Sequence, residues 1–475
     1  MRNSDPSDKA ALRVAFERAF AFRASLPTRP VTPPATSDDL ACLFGGATPE
    51  RGELASSVIE ALADAADSGL MGSAGARFFG WVIGGSHPVG VAADWLTSAW
   101  GQNAGLYAAS PAAATAEMVS ANWLLDMLRL PQECSVGFVS GATMANFTCL
   151  AAARNAMLNR NGWDVEAFGL QGAPRMRILI GNDAHASVFA ALRYLGFGAQ
   201  SAERVPTDSE GRMIAAALEK KLSEGVQAPA IVIAQAGQIN TGAFDLIDDI
   251  AALCNRYGVW LHVDAAFGLW ARLCPEFDDL TCGLDRADSW AVDGHKWLQI
   301  PYDCGFAIVR DAEAHRRAMS IRASYLPAHD YEPGDFVPEL SRRARGFATW
   351  AMLRALGRNG VAEMVRRHCQ FARDLALRLT SEPGIRVVND VVLNQVIVRF
   401  GEDDALTHAT IAALLNEGVC FAAGAEWRGA WVMRVSIISA ALDDADISRL
   451  AAAIIRAWRR VRPLVSPLSH QGVSI

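Results

Sequence analysis

Strand-like and helix-like segments alternate through the middle of this 475-residue chain. Short runs rich in β-branched and apolar residues predict strands, and the longer segments between them carry helical patterns. Alternation of this kind predicts an α/β fold in which a mostly parallel sheet is covered by helices on both faces. The predicted strands are 135–139, 176–181, 230–235, 258–263, 288–292 and 304–309, and the predicted helices are 143–159, 185–195, 212–224 and 244–256.

Two further regions flank the alternating one. The first 87 residues predict two helices, the second near 50–69, separated by a proline-rich stretch. This segment has little core of its own, so we expect it to pack across another surface. The chain after residue 356 predicts a smaller α+β domain with strands near 385–389, 393–400 and 431–437, helices 407–417 and 443–461, and a tail after Pro463. We therefore expect three parts: 1–87, 88–356 and 357–475.

The bulk composition restricts the class of protein. A net charge of −7 and an isoelectric point near 5.8 argue against nucleic acid or an anionic membrane as the main partner. The amino terminus is polar with mixed charges, unlike a signal peptide, and no apolar run approaches the ~20 residues of a membrane span. Nine scattered cysteines form no metal-ligand pattern, so we expect a cytoplasmic protein without a metal site or disulfides.

Asp264 and Lys296 are the strongest candidates for a chemical role. Asp264 follows the predicted strand 258–263, and Lys296 lies just past the predicted strand 288–292. Because open α/β sheets bind ligands at the carboxyl ends of their strands, we expect both side chains at one sheet edge. A lysine that forms a Schiff base and an acid that pairs with a pyridinium nitrogen are the two residue types that a pyridoxal phosphate (PLP) site needs. The alternatives are a capping aspartate and a solvated loop lysine.

Two other segments follow predicted strands. His185 comes after strand 176–181 and could stack on a cofactor ring; the alternative is a plain helix start with Asp183 as its N-cap. Ser140-Gly141-Ala142-Thr143 separates strand 135–139 from helix 143–159 and offers free N–H groups to a phosphate. The dinucleotide, NTP and hydrolase motifs GxGxxG, GxxxxGK[ST] and GxSxG are absent.

Together these segments resemble the group II PLP-dependent decarboxylases, the family of aromatic-L-amino-acid, histidine, tyrosine and glutamate decarboxylases. The resemblance covers nearly the whole chain, because Arg77–Trp81, Ala108–Pro111, Gly242–Asp245, His295–Trp297 and Arg342–Arg345 also fit in order and spacing. It implies a fold-type I PLP-dependent transferase fold with a seven-stranded, mostly parallel sheet. It also implies a homodimer whose active site lies at the subunit interface, with the helical N-terminal segment across the partner.

The resemblance implies a role for each candidate residue. Lys296 would carry the cofactor, Asp264 would pair with its pyridine nitrogen, and His185 would stack on its ring. Phosphate contacts would come from Ala142, Thr143 and His295, while the small side chain of Ala266 leaves room for the ring. Trp81, Val82 and Tyr107 fall where the family lines its substrate pocket. Asp293 stands where relatives often have Asn, so we expect it to turn away from a phosphate or to hold a neighbouring group by a hydrogen bond.

The implied reaction is PLP-dependent decarboxylation of an L-amino acid, aromatic or apolar, to an amine and CO2 through a Lys296 Schiff base. The proton donor is expected on the loop 322–340, which contains Tyr325 and Tyr331, and Tyr331 is the better match. Alternatives on the same fold are an aminotransferase, an aldehyde-forming enzyme and a carbon–carbon lyase. A non-catalytic interaction protein or a cofactor-free binding protein would be a different class.

Overall fold

The computed structural model of the chain describes residues 6–225, 228–321, 329 and 331–462. Tyr325, with the rest of 322–328 and residue 330 of the loop 322–340, and the tail from Pro463 onward therefore lie outside the described residues. The helices are α1 (Pro6–Ser25), α2 (Ser37–Phe44), α3 (Ala55–Asp67), α4 (Pro88–Trp100), α5 (Pro111–Met127), α6 (Ala142–Arg160), α7 (Val165–Phe168), α8 (Ala186–Tyr194), α9 (Ala215–Ser223), α10 (Ile247–Tyr257), α11 (Ala312–Met319), α12 (Arg345–Thr380), α13 (Asp404–Glu417) and α14 (Asp444–Val461).

The strands form two sheets. They are β1 (Ser135–Val139), β2 (Arg177–Gly181), β3 (Glu203–Val205), β4 (Ala230–Gln235), β5 (Trp260–Asp264), β6 (Ser289–Asp293), β7 (Gly305–Val309), β8 (Ile385–Val387), β9 (Gln395–Phe400), β10 (Ala423–Trp427) and β11 (Ala430–Ser436). The large sheet has seven strands in the order β1-β7-β6-β5-β4-β2-β3. Only β7 runs against its neighbours β1 and β6, so the predicted mostly parallel α/β sheet is confirmed.

The large sheet is buried on both faces. Along β5, Leu261 and Val263 join one hydrophobic core, while Trp260 joins a second core on the opposite face. This division follows from the alternation of side chains along a strand. Helix α6 packs on the face that carries Trp260 and contacts β5, β6 and β7. The packing matters for function because α6 begins beside the strand ends where the candidate residues lie.

Two predicted helices begin three residues late because Asp245 holds the preceding backbone in extended form. The Asp245 carboxylate accepts hydrogen bonds from the N–H groups of Met213, at 2.7 Å, and Gln235, at 2.8 Å. These bonds tie 212–214 and 244–246 to the sheet instead of to the helices that follow. Helices α9 and α10 therefore begin at Ala215 and Ile247 instead of the predicted 212 and 244.

The remaining strands build a small antiparallel sheet in the order β10-β11-β9-β8, with its own core beneath α13 and α14. The sequence predicts β8, β9 and β11 but misses β10. Strand β10 is mostly half-buried and shows no clear alternation, so its pattern carries little signal. The short edge strand β3 is missed for the same reason.

The first helices pack on one another without a core of their own. Helix α1 lies against α3, and α2 begins at a capping box in which Thr36 and Asp39 satisfy each other's backbone N–H groups. Leu12, Phe16 and Phe20 on α1 remain exposed. Among the described residues, no helix is long and apolar enough to cross a membrane.

Candidate active site

A cavity of about 340 Å³ opens at the carboxyl ends of the parallel strands. Side chains reach it from the loops that follow β1, β2, β5 and β6, as expected for an open α/β sheet. The structure thus brings together residues that lie more than 200 positions apart in the sequence. The predicted site residues that line the cavity are Trp81, Val82, Ala142, Thr143, His185, Asp264, Ala266, His295 and Lys296.

Lys296 extends into the cavity beside an acidic partner. Its Nζ lies 3.0 Å from Oδ2 of Asp293, and both side chains are almost fully buried. The other oxygen, Oδ1, accepts a hydrogen bond of 2.6 Å from the backbone N–H of Ala142 at the start of α6. Of the two orientations expected for Asp293, the structure therefore shows the one in which it holds its neighbours.

The start of α6 and His295 form a cradle suited to an anion. Gly141 precedes the helix and offers no capping side chain, and Gly141, Ala142 and Thr143 line the cavity. The Ala142 N–H is bonded to Asp293, so the next N–H groups of the first turn, which have no intrahelical partner, remain for an anion. A Cβ on Gly141 would lie only 3.1 Å from the His295 ring. The Nδ1 atom of His295 is buried and has no hydrogen-bond partner, and burial lowers the pKa of this histidine. An unpartnered buried nitrogen beside a helix start fits a phosphate group.

Asp264 closes β5 and points into the same cavity. Its Oδ2 accepts from the Nδ2 of Asn146 at 3.3 Å, and its Oδ1 accepts from the N–H of Ala266 at 3.3 Å. Burial raises the pKa of this carboxyl, while the charges of His185 and Lys296 act in the opposite direction. A buried acid that retains a free acceptor fits a protonated pyridine nitrogen, so the residues present suit the cofactor.

His185 is itself the N-cap of α8. Its Nδ1 accepts from the backbone N–H of Ser187 at 3.3 Å and lies 2.8 Å from the Ser187 Oγ. The expectation that Asp183 caps this helix is wrong, because the Asp183 carboxylate instead bonds Thr207 and Arg428. The cap fixes the ring of His185 at the cavity wall. One side of the ring is open to the cavity, and protein surrounds the rest of it. Burial lowers its pKa, and the charge of Lys296 adds to this effect.

The segment 81–84 folds over the cavity in an uncommon backbone conformation. Trp81 and Val82 have φ angles of 58° and 61°, in the left-handed region that side chains disfavour. Gly84 also has a positive φ, and a Cβ there would lie 2.0 Å from the carbonyl oxygen of His295. Strain of this kind persists where surrounding contacts fix the backbone, and it is typical of functional sites.

Tyr107 and Tyr331 do not line the cavity of their own chain. Tyr107 stacks on His329 with ring centroids 3.9 Å apart, and its backbone N–H donates to Glu332. Tyr331 packs on Phe336 nearby, with ring centroids 6.0 Å apart, and burial raises its pKa. The two predicted residues therefore occupy a second region, separate from Lys296 and Asp264.

Sequence reasoning missed several residues of the site. The Tyr302 ring lies against His295 in a tilted arrangement, with centroids 4.3 Å apart, and Phe267 places its ring 5.6 Å from the Lys296 Nζ. Phe267 directly follows Ala266, and Tyr302 lies six positions after Lys296, so nearness to these segments was the available signal. Asn146 and His262 also had a positional signal. Asn146 lies one helical turn after Ala142, and His262 is two positions before Asp264 on the same strand face.

Comparison with known proteins places this arrangement in context. Residues 38–400 match a family model described as the pyridoxal-dependent decarboxylase conserved domain. The aromatic-L-amino-acid decarboxylase of Bacillus atrophaeus is 31% identical over 344 residues, 70% of this chain and 69% of that protein. The acidic amino acid decarboxylase GADL1 of Mus musculus is 31% identical over 66% of this chain, and the match covers 58% of that protein.

A solved structure shares the fold. The Oryza sativa TDC structure with PLP and tryptamine superposes with a TM-score of 0.90 at 22% identity, covering 97% of this chain and 99% of that chain. At this level of identity the likeness concerns the fold alone. It agrees with the seven-stranded sheet and the small antiparallel sheet described above.

Proposed function

The chain belongs to the pyridoxal-dependent decarboxylase family, and we propose that it removes the carboxylate of an aromatic or apolar L-amino acid to give an amine and CO2. Membership makes it a PLP-dependent carboxy-lyase and favours decarboxylation over the aminotransferase and lyase alternatives. The observation that carries the proposal is the convergence of Lys296, Asp264 and His185 on one cavity. The individual roles of these three residues are part of the proposal.

The residues around the cavity would hold the cofactor at both ends. The phosphate would meet the start of α6 at Ala142 and Thr143 and the unpartnered Nδ1 of His295. Asp264 would meet the pyridine nitrogen, and Lys296 would provide the covalent attachment. When bound, pyridoxal phosphate supplies an electron-withdrawing ring that stabilises negative charge at the substrate's α-carbon.

The protein's own groups control protons and water. Asp293, 3.0 Å from the Lys296 Nζ, positions this amine and can exchange a proton with it. His185 is held at the cavity wall by its cap of α8, where it can orient a substrate carboxylate. Phe267 and Trp81 line the cavity with apolar surface and restrict water near the reacting bond.

The cavity walls support an aromatic or apolar substrate. Trp81, Val82, Ile83 and Phe267 present apolar side chains to the cavity, and Tyr302 adds an aromatic ring. Among the residues that the structure describes, no arginine or second lysine lines this cavity to pair with an acidic side chain. An apolar wall with few charged groups selects ligands by the apolar area that they bury.

An acidic substrate is a second candidate, because a cation lies just behind the cavity. The Arg434 guanidinium donates to Asn240 at 3.2 Å, its Nε has no partner, and its charge lowers the pKa of His185. Within the described part of the chain, no carboxylate forms an ion pair with it. The GADL1 relative is described as acting on acidic amino acids, which is compatible with this alternative.

We further propose a homodimer in which the second subunit completes the site. The exposed Leu12, Phe16 and Phe20 on α1 offer an apolar face to a partner, as a segment 1–87 that packs across the dimer requires. Tyr107 and Tyr331 would then reach the cavity of the partner, Tyr331 as proton donor and Tyr107 as a wall. The proposed division at 356/357 falls at Gly357, which interrupts α12 with a non-helical conformation.

Localisation in the cytoplasm is also proposed. All nine cysteines are free thiols, and the buried ones pack in hydrophobic cores or under the sheet. Free thiols persist in a reducing compartment, where disulfides are rare.

The function is tested by incubating the PLP-loaded protein with a panel of L-amino acids and measuring CO2, amine and aldehyde for each. We expect CO2 and amine from aromatic or apolar members. Lys296→Ala should abolish turnover, while Lys220→Ala, which changes an exposed lysine on α9, should not. Turnover of acidic members alone would favour the Arg434 alternative, and absence of CO2 from all members would contradict the decarboxylase proposal.

A further inference from the structure

A buried chain of hydrogen bonds runs behind Asp264, away from the cavity. The indole Nε1 of Trp260 donates to the Ser289 Oγ at 2.9 Å, and that oxygen lies 2.9 Å from the Nδ1 of His262. The Nε2 of His262 lies 2.8 Å from the Oδ1 of Asn146, whose Nδ2 donates to Asp264 at 3.3 Å. Five side chains thus form one continuous path that ends on the carboxylate.

The fold itself aligns these side chains. Trp260, His262 and Asp264 occupy alternate positions of β5 and therefore share one face. Ser289 is the registered partner of His262 on β6, and α6 places Asn146 against the same face. All five residues are buried, so water does not compete for these bonds.

The two ends of the path fix its direction. An indole N–H only donates, and an ionised carboxylate only accepts. With both ends fixed, Ser289 donates to the Nδ1 of His262, the Nε2–H of His262 donates to the Asn146 carbonyl, and the Asn146 amide donates to Asp264. If Asp264 were protonated, the Asn146 amide and the His262 tautomer could both reverse. Protonation of Asp264 thus lets the path reverse, whereas the hydrogen bond that Asn146 donates is stronger to the ionised carboxylate and lowers the pKa of Asp264.

We propose that Asn146, His262 and Ser289 are positioning residues that keep Asp264 ionised and thereby keep a proton on the cofactor's ring nitrogen. The inference rests on the proposed pairing of Asp264 with that nitrogen, and it does not depend on the substrate class. Such positioning is needed because burial raises the pKa of Asp264. The charged groups that face this carboxyl partly cancel one another, since His185 and Lys296 favour the ionised form and Asp293 opposes it. His262 adds no charge of its own, since burial lowers its pKa to about 3.

The test uses holoenzyme loaded with PLP labelled with 15N at the ring nitrogen. The 15N chemical shift reports the protonation of this atom as pH is varied, without any substrate. Ser289→Ala removes the hydroxyl that donates to His262. We expect the ring nitrogen to lose its proton roughly one pH unit lower than in the unchanged protein, the scale of one hydrogen bond. Asn146→Leu, which breaks the link next to Asp264, should shift the midpoint further.

Ser135→Ala is the matched control. The Ser135 Oγ lies 2.8 Å from the Nδ1 of the buried His315, at the opposite end of the sheet from the cavity. The substitution Ser135→Ala also removes a serine oxygen beside a buried histidine. The pH midpoint for the ring nitrogen in this variant should equal that of the unchanged protein. If Asn146→Leu does not fold, Ser289→Ala still decides, because it deletes a single oxygen.

The outcomes separate this inference from the proposed function. Midpoints in Ser289→Ala and Asn146→Leu that equal that of the unchanged protein would overturn it and leave the chain of bonds a purely structural feature. A shift confined to these variants supports it even if no amino acid in the panel is decarboxylated. A ring nitrogen that is unprotonated in the unchanged protein at neutral pH would also overturn it.

Discussion

The Oδ2 of Asp293 lies 3.0 Å from the Nζ of Lys296, while its Oδ1 accepts the N–H of Ala142 that begins α6. One buried carboxylate therefore links the proposed attachment lysine to the helix start proposed for the phosphate. Two anions would share this helix start when the cofactor is bound. In the proposed complex, Asp293 would therefore couple the binding of the cofactor phosphate at the helix start to the charge of the Lys296 amine.

Asp293→Asn is expected to strengthen PLP binding. The substitution keeps an acceptor for Ala142 but removes a negative charge from the helix start proposed for the phosphate. Repulsion of this kind contributes on the order of 1 kcal/mol at a partly screened site, so we expect roughly a fivefold lower Kd. Fluorescence titration of the apoprotein measures it. Asp278→Asn, at an exposed ion pair with Arg129, is the control, and weaker binding by Asp293→Asn would contradict the repulsion argument.

Tyr331→Phe is expected to lower the yield of amine and to raise that of aldehyde, if the partner's cavity receives this tyrosine as proposed. Loss of the hydroxyl leaves the α-carbon without its proton donor, so oxidative deamination competes, with dissolved O2 as the oxidant and ammonia and hydrogen peroxide as the co-products. Tyr325→Phe is the parallel variant on the same loop. Product analysis decides between them: aldehyde from Tyr325→Phe with unchanged amine from Tyr331→Phe would transfer the role to Tyr325.

The sequence predicts that Asp264 and Lys296 meet at one sheet edge because each comes at or just after the end of a strand of β-branched and apolar residues, and the structure places both at one cavity. It does not predict the path behind Asp264. That path depends on the register of β5 against β6 and on the turn of α6 that faces them, and both are set by tertiary packing. The same limit explains the start of α10, where Asp245 overrides the local helical pattern.

The subunit arrangement marks another limit. Tyr107 and Tyr331 are recognisable from their neighbours in the sequence, yet within one chain they lie with His329, away from the cavity. No local pattern states which subunit's cavity a loop enters. Their position follows from chain packing, and in the proposed homodimer they would reach the cavity of the partner.

Acidification is expected to destabilise the protein between about pH 6.5 and pH 3. Burial lowers the pKa of His262, His315 and His368 to about 3 in the folded chain, whereas the unfolded histidines keep the ordinary value of 6.5. As pH falls below 6.5, the unfolded chain binds protons that the folded chain does not bind. The contribution of these histidines to the free energy of unfolding is therefore present above pH 6.5 and lost on acidification. Each site contributes on the order of 4 kcal/mol across the whole interval.

The thermal unfolding midpoint, followed against pH, measures this effect. His315→Gln should flatten the dependence, because it removes one of the three titrations and lies outside the cavity. His408→Gln, at an exposed histidine, should leave the slope unchanged. Equal slopes for all three proteins would show that the buried histidine is not the cause.

Gly84→Ala is expected to disrupt the cofactor site, and Gly101→Ala provides a control at a glycine with nearly the same φ. The φ angles are 60° at Gly84 and 61° at Gly101, in the left-handed region that disfavours alanine. They differ in surroundings: a Cβ at Gly84 would lie 2.0 Å from the His295 carbonyl oxygen, and a Cβ at Gly101 would meet nothing within 4 Å. The His295–Lys296 backbone must therefore move only in Gly84→Ala.

We expect PLP affinity to fall at least about tenfold in Gly84→Ala, as for a displaced positioning residue, and to stay unchanged in Gly101→Ala. Equilibrium dialysis measures both, and equal affinities would mean that the segment 81–84 does not position Lys296.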